Sequence, residues 1–442
     1  MFRRFAHLSL STLALAAVTT TSAQAAPQPW TPNTKGNVGP GPTTFNKWEA
    51  ITAPAESGAV CGNGSPYRFF VNRTTSAADK AKTVVVFEGG GACWDQNACV
   101  IGGKSGVLGA TNYSGITTTH MNIAGIATPF AQRTALLQKV QTQSWNIVYA
   151  PYCTGDVHTG NKFTAYSDAD PSKPLPYYHH GFKNIELMAN WLGKYFPAQD
   201  KLLVTGFSAG GVGATAAYGL IRLAMNPKQG ALMADSGPLF QVDRNASPAD
   251  APSVLLHNKI RDAWGLDGDE GLASRMIATF PTAGDINNLG SLTEGLAKVF
   301  PQDRFGQAVF QADGVFSAFS YVKFYPDIAA TPVGPKRDAL LHEKWSKEVV
   351  TWVDAMKPYP NMGYYVPYGR DFLKSHTLTT GTFGGTGIKE ANLADVGVFV
   401  DNVLDPSQPL IRAYETGRTV QNSGGIVFLS TISNAIYALI GL

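Results

Sequence analysis

Short apolar runs alternate along this chain with longer stretches in which apolar residues recur every three to four positions. The runs Tyr67–Val71, Thr83–Phe87, Trp145–Tyr149, Leu202–Thr205, Ala231–Ala234, Gln307–Gln311 and Gly363–Val366 read as strands. Most carry apolar residues on both faces, which is expected where helices cover both sides of a parallel sheet. Phe182–Tyr195, Ala209–Ala224, Ala251–Ala263 and Arg337–Met356 have the length and spacing of helices. Their alternation predicts an α/β fold with a mainly parallel central sheet and flanking helices. Residues 238–300 break the rhythm with mixed helix and loop, and read as a cap or lid insertion. Residues 26–60 are rich in Pro, Gly, Thr and Asn, lack periodicity and read as an extended arm. The remainder, 61–442, is expected to form one elaborated domain that carries the cap.

The two ends carry a different pattern. Arg3 and Arg4, the apolar stretch Leu8–Val18 and the small residues Ala23-Gln24-Ala25 predict an export signal in residues 1–25, cleaved before Ala26. That stretch is shorter than the roughly 20 residues a bilayer span needs. The working chain is therefore expected outside the cell or in a periplasm. Ile426–Leu442 is also apolar, but Ser430, Thr431, Ser433 and Asn434 argue for docking on the sheet or cap and against a membrane span.

Composition narrows the partners. The 44% hydrophobic content is ample for a large core, and the formal charge of +3 includes the two arginines of the signal. Lysines and arginines are scattered, so nucleic acid is not an expected partner. The four cysteines allow three pairings, and an oxidising compartment favours pairing. The spacing of Cys93 and Cys99 favours a small local loop, which leaves Cys61 for Cys153. No CxxC pair is present, so neither a zinc site nor any other metal is expected.

Candidate chemistry centres on Leu202–Gly211, where Gly206-Phe207-Ser208-Ala209-Gly210 follows a buried strand and opens a helix. A serine at such a bend is held in a strained conformation, and its neighbours two positions away must be small. The helix start offers unpaired N–H groups to a developing oxyanion. A second glycine cluster, Glu88-Gly89-Gly90-Gly91-Ala92-Cys93-Trp94, follows another buried strand. It lacks the Lys and Ser/Thr of a phosphate loop, and Gly90 and Gly91 are the expected oxyanion donors beside the Ala209 amide. In the α/β-hydrolase chain order an acid and then a histidine follow the serine. His257 and His342 lie in helical patterns, whereas His376 lies in a loop after a strand. Asp313, after the strand Gln307–Gln311, is the first choice of acid, and Asp235 the second. Asp156 and His158 precede Ser208 and read as pocket lining or loop bracing, and His180 as a helix cap or substrate contact. No cofactor is required.

Read together and in order, EGGGACW at 88–94, PYCTGDVHTG at 151–160, GFSAGG at 206–211, ADSG at 234–237 and SH at 375–376 resemble the pectin acetylesterase and Notum family of secreted carboxylesterases. The resemblance implies an α/β-hydrolase fold, a Ser208–Asp313–His376 triad, oxyanion donors at Gly90, Gly91 and Ala209, and the disulfides Cys93–Cys99 and Cys61–Cys153. The substrate would be an ester: acetylated polysaccharide, acylated protein or aliphatic polyester. Gly91 stands where the family often has an aromatic residue, which leaves the acyl pocket to be defined by this chain. A peptidase or amidase on the same scaffold, and a binding protein without turnover, are the rival readings.

Overall fold

The apolar runs assemble into one sheet in the computed structural model, which describes residues 26–99, 109–134, 138–370 and 373–421. In chain order the strands are β1 (Glu49–Thr52), β2 (Arg68–Asn72), β3 (Lys82–Phe87), β4 (Asn146–Ala150), β5 (Lys162–Tyr166), β6 (Leu175–His179), β7 (Lys201–Phe207), β8 (Gln229–Asp235), β9 (Arg304–Ala308), β10 (Met362–Val366) and β11 (Arg412–Tyr414). Nine of them form the central sheet in the order β1-β2-β4-β3-β7-β8-β9-β10-β11, and β5 pairs with β6 apart from it. From β4 to β11 every pairing is parallel; β1 and β2 are antiparallel additions at one edge. The expected strand at Gln307–Gln311 starts earlier, at Arg304.

Burial follows the pattern of the sequence. All positions of β4 and β10 are buried, and so are all but the first of β3, β7 and β8, because side chains on both faces meet other elements. The helix Ala209–Met225 packs over β3, β7 and β8 with the helix Gly181–Tyr195 beside it, while Val396–Leu404 covers β8, β9 and β10. Register then does the positioning. Phe87 pairs with Gly206, and Phe207 with Asp235, so the chain leaves β3, β7 and β8 at neighbouring points along one edge. Such C-terminal strand ends are where open α/β sheets place their ligands.

Residues 238–300 contain the helices Val254–Trp264, Leu272–Thr279 and Leu292–Val299. Within 26–60 the chain is less independent than an arm would be: β1 joins the sheet, the Trp30 N–H donates to Thr279 Oγ1 at 2.7 Å, and Trp191 Nε1 donates to the Pro40 carbonyl at 2.8 Å. Cys61–Cys153 and Cys93–Cys99 are both bonded, with S–S distances of 2.07 and 2.09 Å. Cys93, Cys99 and His179 lie close enough together to suggest a metal triad, but the two sulfurs are spent on each other. Among the described residues no helix is long and apolar enough to cross a membrane. The expected signal at 1–25 and the apolar stretch 426–442 lie outside the described residues.

Candidate active site

Ser208 sits between β7 and the helix Ala209–Met225 at φ 57° and ψ −127°, a backbone conformation that L-residues rarely adopt. Its N–H donates to the Asp235 carbonyl at 2.9 Å, and its own carbonyl accepts from Gly211 at 2.8 Å, so the bend is fixed from both sides. The flanking glycines are required by space. A Cβ on Gly206 would lie 2.1 Å from the Gly210 carbonyl oxygen, and one on Gly210 would lie 2.1 Å from that of Phe87. The same contact presses the serine bend against the glycine loop that follows β3. There Gly90 and Gly91 take φ of 151° and 74°, and a Cβ on Gly89 would lie 2.9 Å from that of Ser208. Ala209 opens the helix, so its amide has no acceptor inside it.

His376 and Asp313 meet from opposite directions. Nδ1 of His376 lies 2.8 Å from Oδ2 of Asp313, and both residues are buried. The other carboxylate oxygen accepts from the Val315 and Phe316 N–H groups at 3.0 and 2.8 Å, capping the helix Gly314–Tyr321. A carboxylate can only accept, so Nδ1 carries a proton, which in the neutral ring leaves the lone pair on Nε2. Nε2 has no hydrogen-bond partner among the described residues. Ser208 and His376 line one cavity of about 70 Å³, together with Gly91, Ala209 and, from residues 238–300, Leu239, Leu256 and Ile260. Ser208 and His376 share this cavity without a direct hydrogen bond between Nε2 and the serine.

Asp235, the second choice of acid, has other partners. Its carboxylate accepts from Leu378 N, Thr379 N, Thr379 Oγ1 and Ser236 Oγ at 2.7–3.0 Å, and burial pushes its pKa up against those hydrogen bonds. It therefore anchors the loop that carries His376. That loop is strained, with φ of 48°, 53° and 58° at Lys374, Ser375 and Thr377, and Ser375 Oγ is locked to the Arg370 backbone at 2.7–2.8 Å.

Residues 43–251 match the pectinacetylesterase family model. The resemblance read from the motifs is borne out over the stretch that holds Glu88–Trp94 and Ser208, and it supports an esterase or deacylase. The match ends before Asp313 and His376. Among solved structures, the Wnt deacylase Notum from Drosophila superposes with a TM-score of 0.51, covering 83% of this chain and 95% of that one at 15% identity. At that identity the likeness establishes the fold, an α/β hydrolase, as the motif order implied. No curated protein matches the sequence.

Three further candidates also lie in the pectinacetylesterase stretch, and none of them lines the Ser208 cavity. Asp156 is fully buried and accepts from Thr154 Oγ1 and from the N–H groups of His158, Gly160 and Gly181 at 2.6–3.1 Å. Burial nonetheless pushes its pKa up to about 7. His158 donates from Nε2 to the Glu88 carbonyl at 2.9 Å, bracing the base of the glycine loop, and burial lowers its pKa to about 4. His180 donates from Nδ1 to the Gly58 carbonyl at 2.9 Å. Of the two readings of Asp156 and His158, these partners, backbone groups and the Thr154 hydroxyl, fit loop bracing. Sequence reasoning had set His257 aside as a helix residue; it does lie on the helix Val254–Trp264, but it also lines the cavity. No spacing signal marks it, since the helix Val254–Trp264 reaches Ser208 only through the tertiary fold.

Proposed function

We propose that this chain is a secreted serine carboxylesterase working through Ser208, His376 and Asp313. The observation that carries the reading is the His376 ring, with Nδ1 held 2.8 Å from the buried Asp313 carboxylate and Nε2 unpartnered in a cavity wall shared with Ser208. Nε2 takes the Ser208 proton as Oγ attacks the ester carbonyl carbon. The amides of Gly90, Gly91 and Ala209 receive the negative charge on the carbonyl oxygen. The bond to the alcohol oxygen then breaks, and Nε2 returns its proton to that oxygen. Water repeats the sequence on the acyl-enzyme, releasing the acid and restoring the serine. Paired cysteines agree with a chain that works in an oxidising compartment.

The walls speak to the substrate. A second cavity of about 70 Å³ shares Val157, Val212, Leu239, Ile260 and Trp264 with the first and continues to Ala216 and Met276. Such a lining suits an ester with an apolar acyl part, as in an acylated protein or an aliphatic polyester, more than a bare acetyl group on sugar.

Ser208→Ala is expected to abolish labelling by a fluorophosphonate and to lower turnover of p-nitrophenyl esters by about a thousandfold or more. Retained labelling and turnover in that variant would move the nucleophile elsewhere.

A further inference from the structure

Among the side chains around Ser208, few carry a polar group that is not already spent. Trp264 donates its Nε1–H to the Cys93 carbonyl at 2.8 Å, and most of the rest are hydrocarbon. Apart from Ser208 and His376, the exception is His257. Its side chain belongs to a residue only 7% exposed, it lines the cavity, and Nδ1 has no hydrogen-bond partner among the described residues. Buried polar atoms without partners are rare in folded proteins because they lose water and gain nothing in return. Leucine or phenylalanine would fill this wall without that penalty. The helix start that carries the ring is held in place: Ser253, just ahead of the helix Val254–Trp264, donates from N and Oγ to buried Glu348 at 3.0 and 2.7 Å, and the His257 backbone N–H donates to the Ser253 carbonyl at 2.9 Å.

Resting on the esterase reading, we propose that His257 is a specificity residue, which hydrogen-bonds a substrate oxygen other than the scissile carbonyl and selects esters whose acyl chain carries a hydroxyl or a second ester oxygen. A plain alkyl chain would leave Nδ1 unsatisfied in the complex, whereas an oxygen on the chain supplies the missing partner. Burial, with Arg261 one turn further along the helix, holds the imidazole near pKa 4, so at neutral pH it is uncharged. A neutral ring offers one N–H and one lone pair, and matches a hydroxyl in either direction.

The test compares ethyl 3-hydroxybutyrate with ethyl butyrate on the purified enzyme, following acid release at constant pH. The expected wild-type result is a kcat/KM preference of about tenfold or more for the hydroxy ester. His257→Phe should reduce that ratio about tenfold, and His257→Gln should recover part of it. A residue that only fills space would lower both rates together and leave the ratio unmoved. A wild-type ratio near one, or an unchanged ratio in a folded His257→Phe enzyme, overturns the proposal while Ser208 still takes up fluorophosphonate. Loss of that labelling in the wild type overturns the esterase reading and this inference with it.

Discussion

Asp313 and Asp235 are both buried, one beyond the end of β9 and the other the last residue of β8, and both reach the histidine loop, yet their hydrogen-bond partners give them separate tasks. Asp313 divides its oxygens between the His376 ring and the start of a helix, whereas Asp235 spends both on the backbone and hydroxyls of residues 378–379 and on Ser236. In Asp313→Asn the amide oxygen can still cap the helix, but the charge that holds the Nδ1 tautomer is gone. Turnover should fall about 10³–10⁴-fold with little change in unfolding free energy. Asp235→Asn instead points an NH₂ group at existing donors, and should cost about 1–3 kcal/mol of stability with a smaller loss of rate. Ester kinetics and denaturant titration on both variants check this; a stable, dead Asp235→Asn would reverse the assignment. Sequence position favoured Asp313 but could not settle the choice, because all of the groups that bind Asp235 except Ser236 lie more than 140 residues downstream.

At the scale of elements, the two disulfides close loops of very different length. Cys61 and Cys153 are 92 residues apart, Cys93 and Cys99 only 6. By loop-closure entropy the first should contribute about 4–5 kcal/mol and the second about 2. The shorter one follows Gly90 and Gly91, however, and so holds the segment proposed to supply amides to the oxyanion. Replacing Cys93 and Cys99 by serine should therefore lower kcat more than stability, and replacing Cys61 and Cys153 should do the reverse. Equal effects of the two replacements on both measurements would mean that the short bridge has no part in preorganising the loop. The same contrast between local and distant determinants explains what could be read in advance. The inner parallel strands were legible because burial on both faces writes continuous apolar runs, and the Ser208 bend because crowding dictates its glycines. The edge strand β1, the β5–β6 pair and β11 were missed. Each has only one or two buried positions, and β11 spans only three residues, too few for a period to show. The helix Val396–Leu404 was missed too; its apolar residues cover the sheet from a region whose flanks offered no strand rhythm to frame it.

Across the whole molecule, buried histidines shape the response to mild acid. His158 and His257 are lowered to about 4 and His179 to about 3, in each case first by burial. His179 donates from Nδ1 to the Thr154 carbonyl and accepts from the Tyr166 hydroxyl, a pattern that only the neutral ring can complete. A histidine depressed in the folded state binds its proton first in the unfolded chain. Its stabilising contribution is thus whole above 6.5 and is lost as pH falls through the folded value of 3 to 4. Asp156 works the other way: raised to about 7, its contribution is whole below 3.8 and is lost as pH rises through 7. Between pH 4 and 6.5 it opposes the histidines, as do Asp235, Glu186, Glu294 and Glu348, which burial also raises, so the contribution of a single ring is read by removing it. His179→Gln lowers the baseline at every pH but removes one titrating ring, so it isolates the slope. Unfolding free energies at pH 6.5 and pH 5 should differ by about 1–2 kcal/mol less in this variant than in the wild type. If the two proteins lose the same amount over that interval, the acid sensitivity belongs to other groups, and His179 is protonated in the folded state as readily as in the open chain.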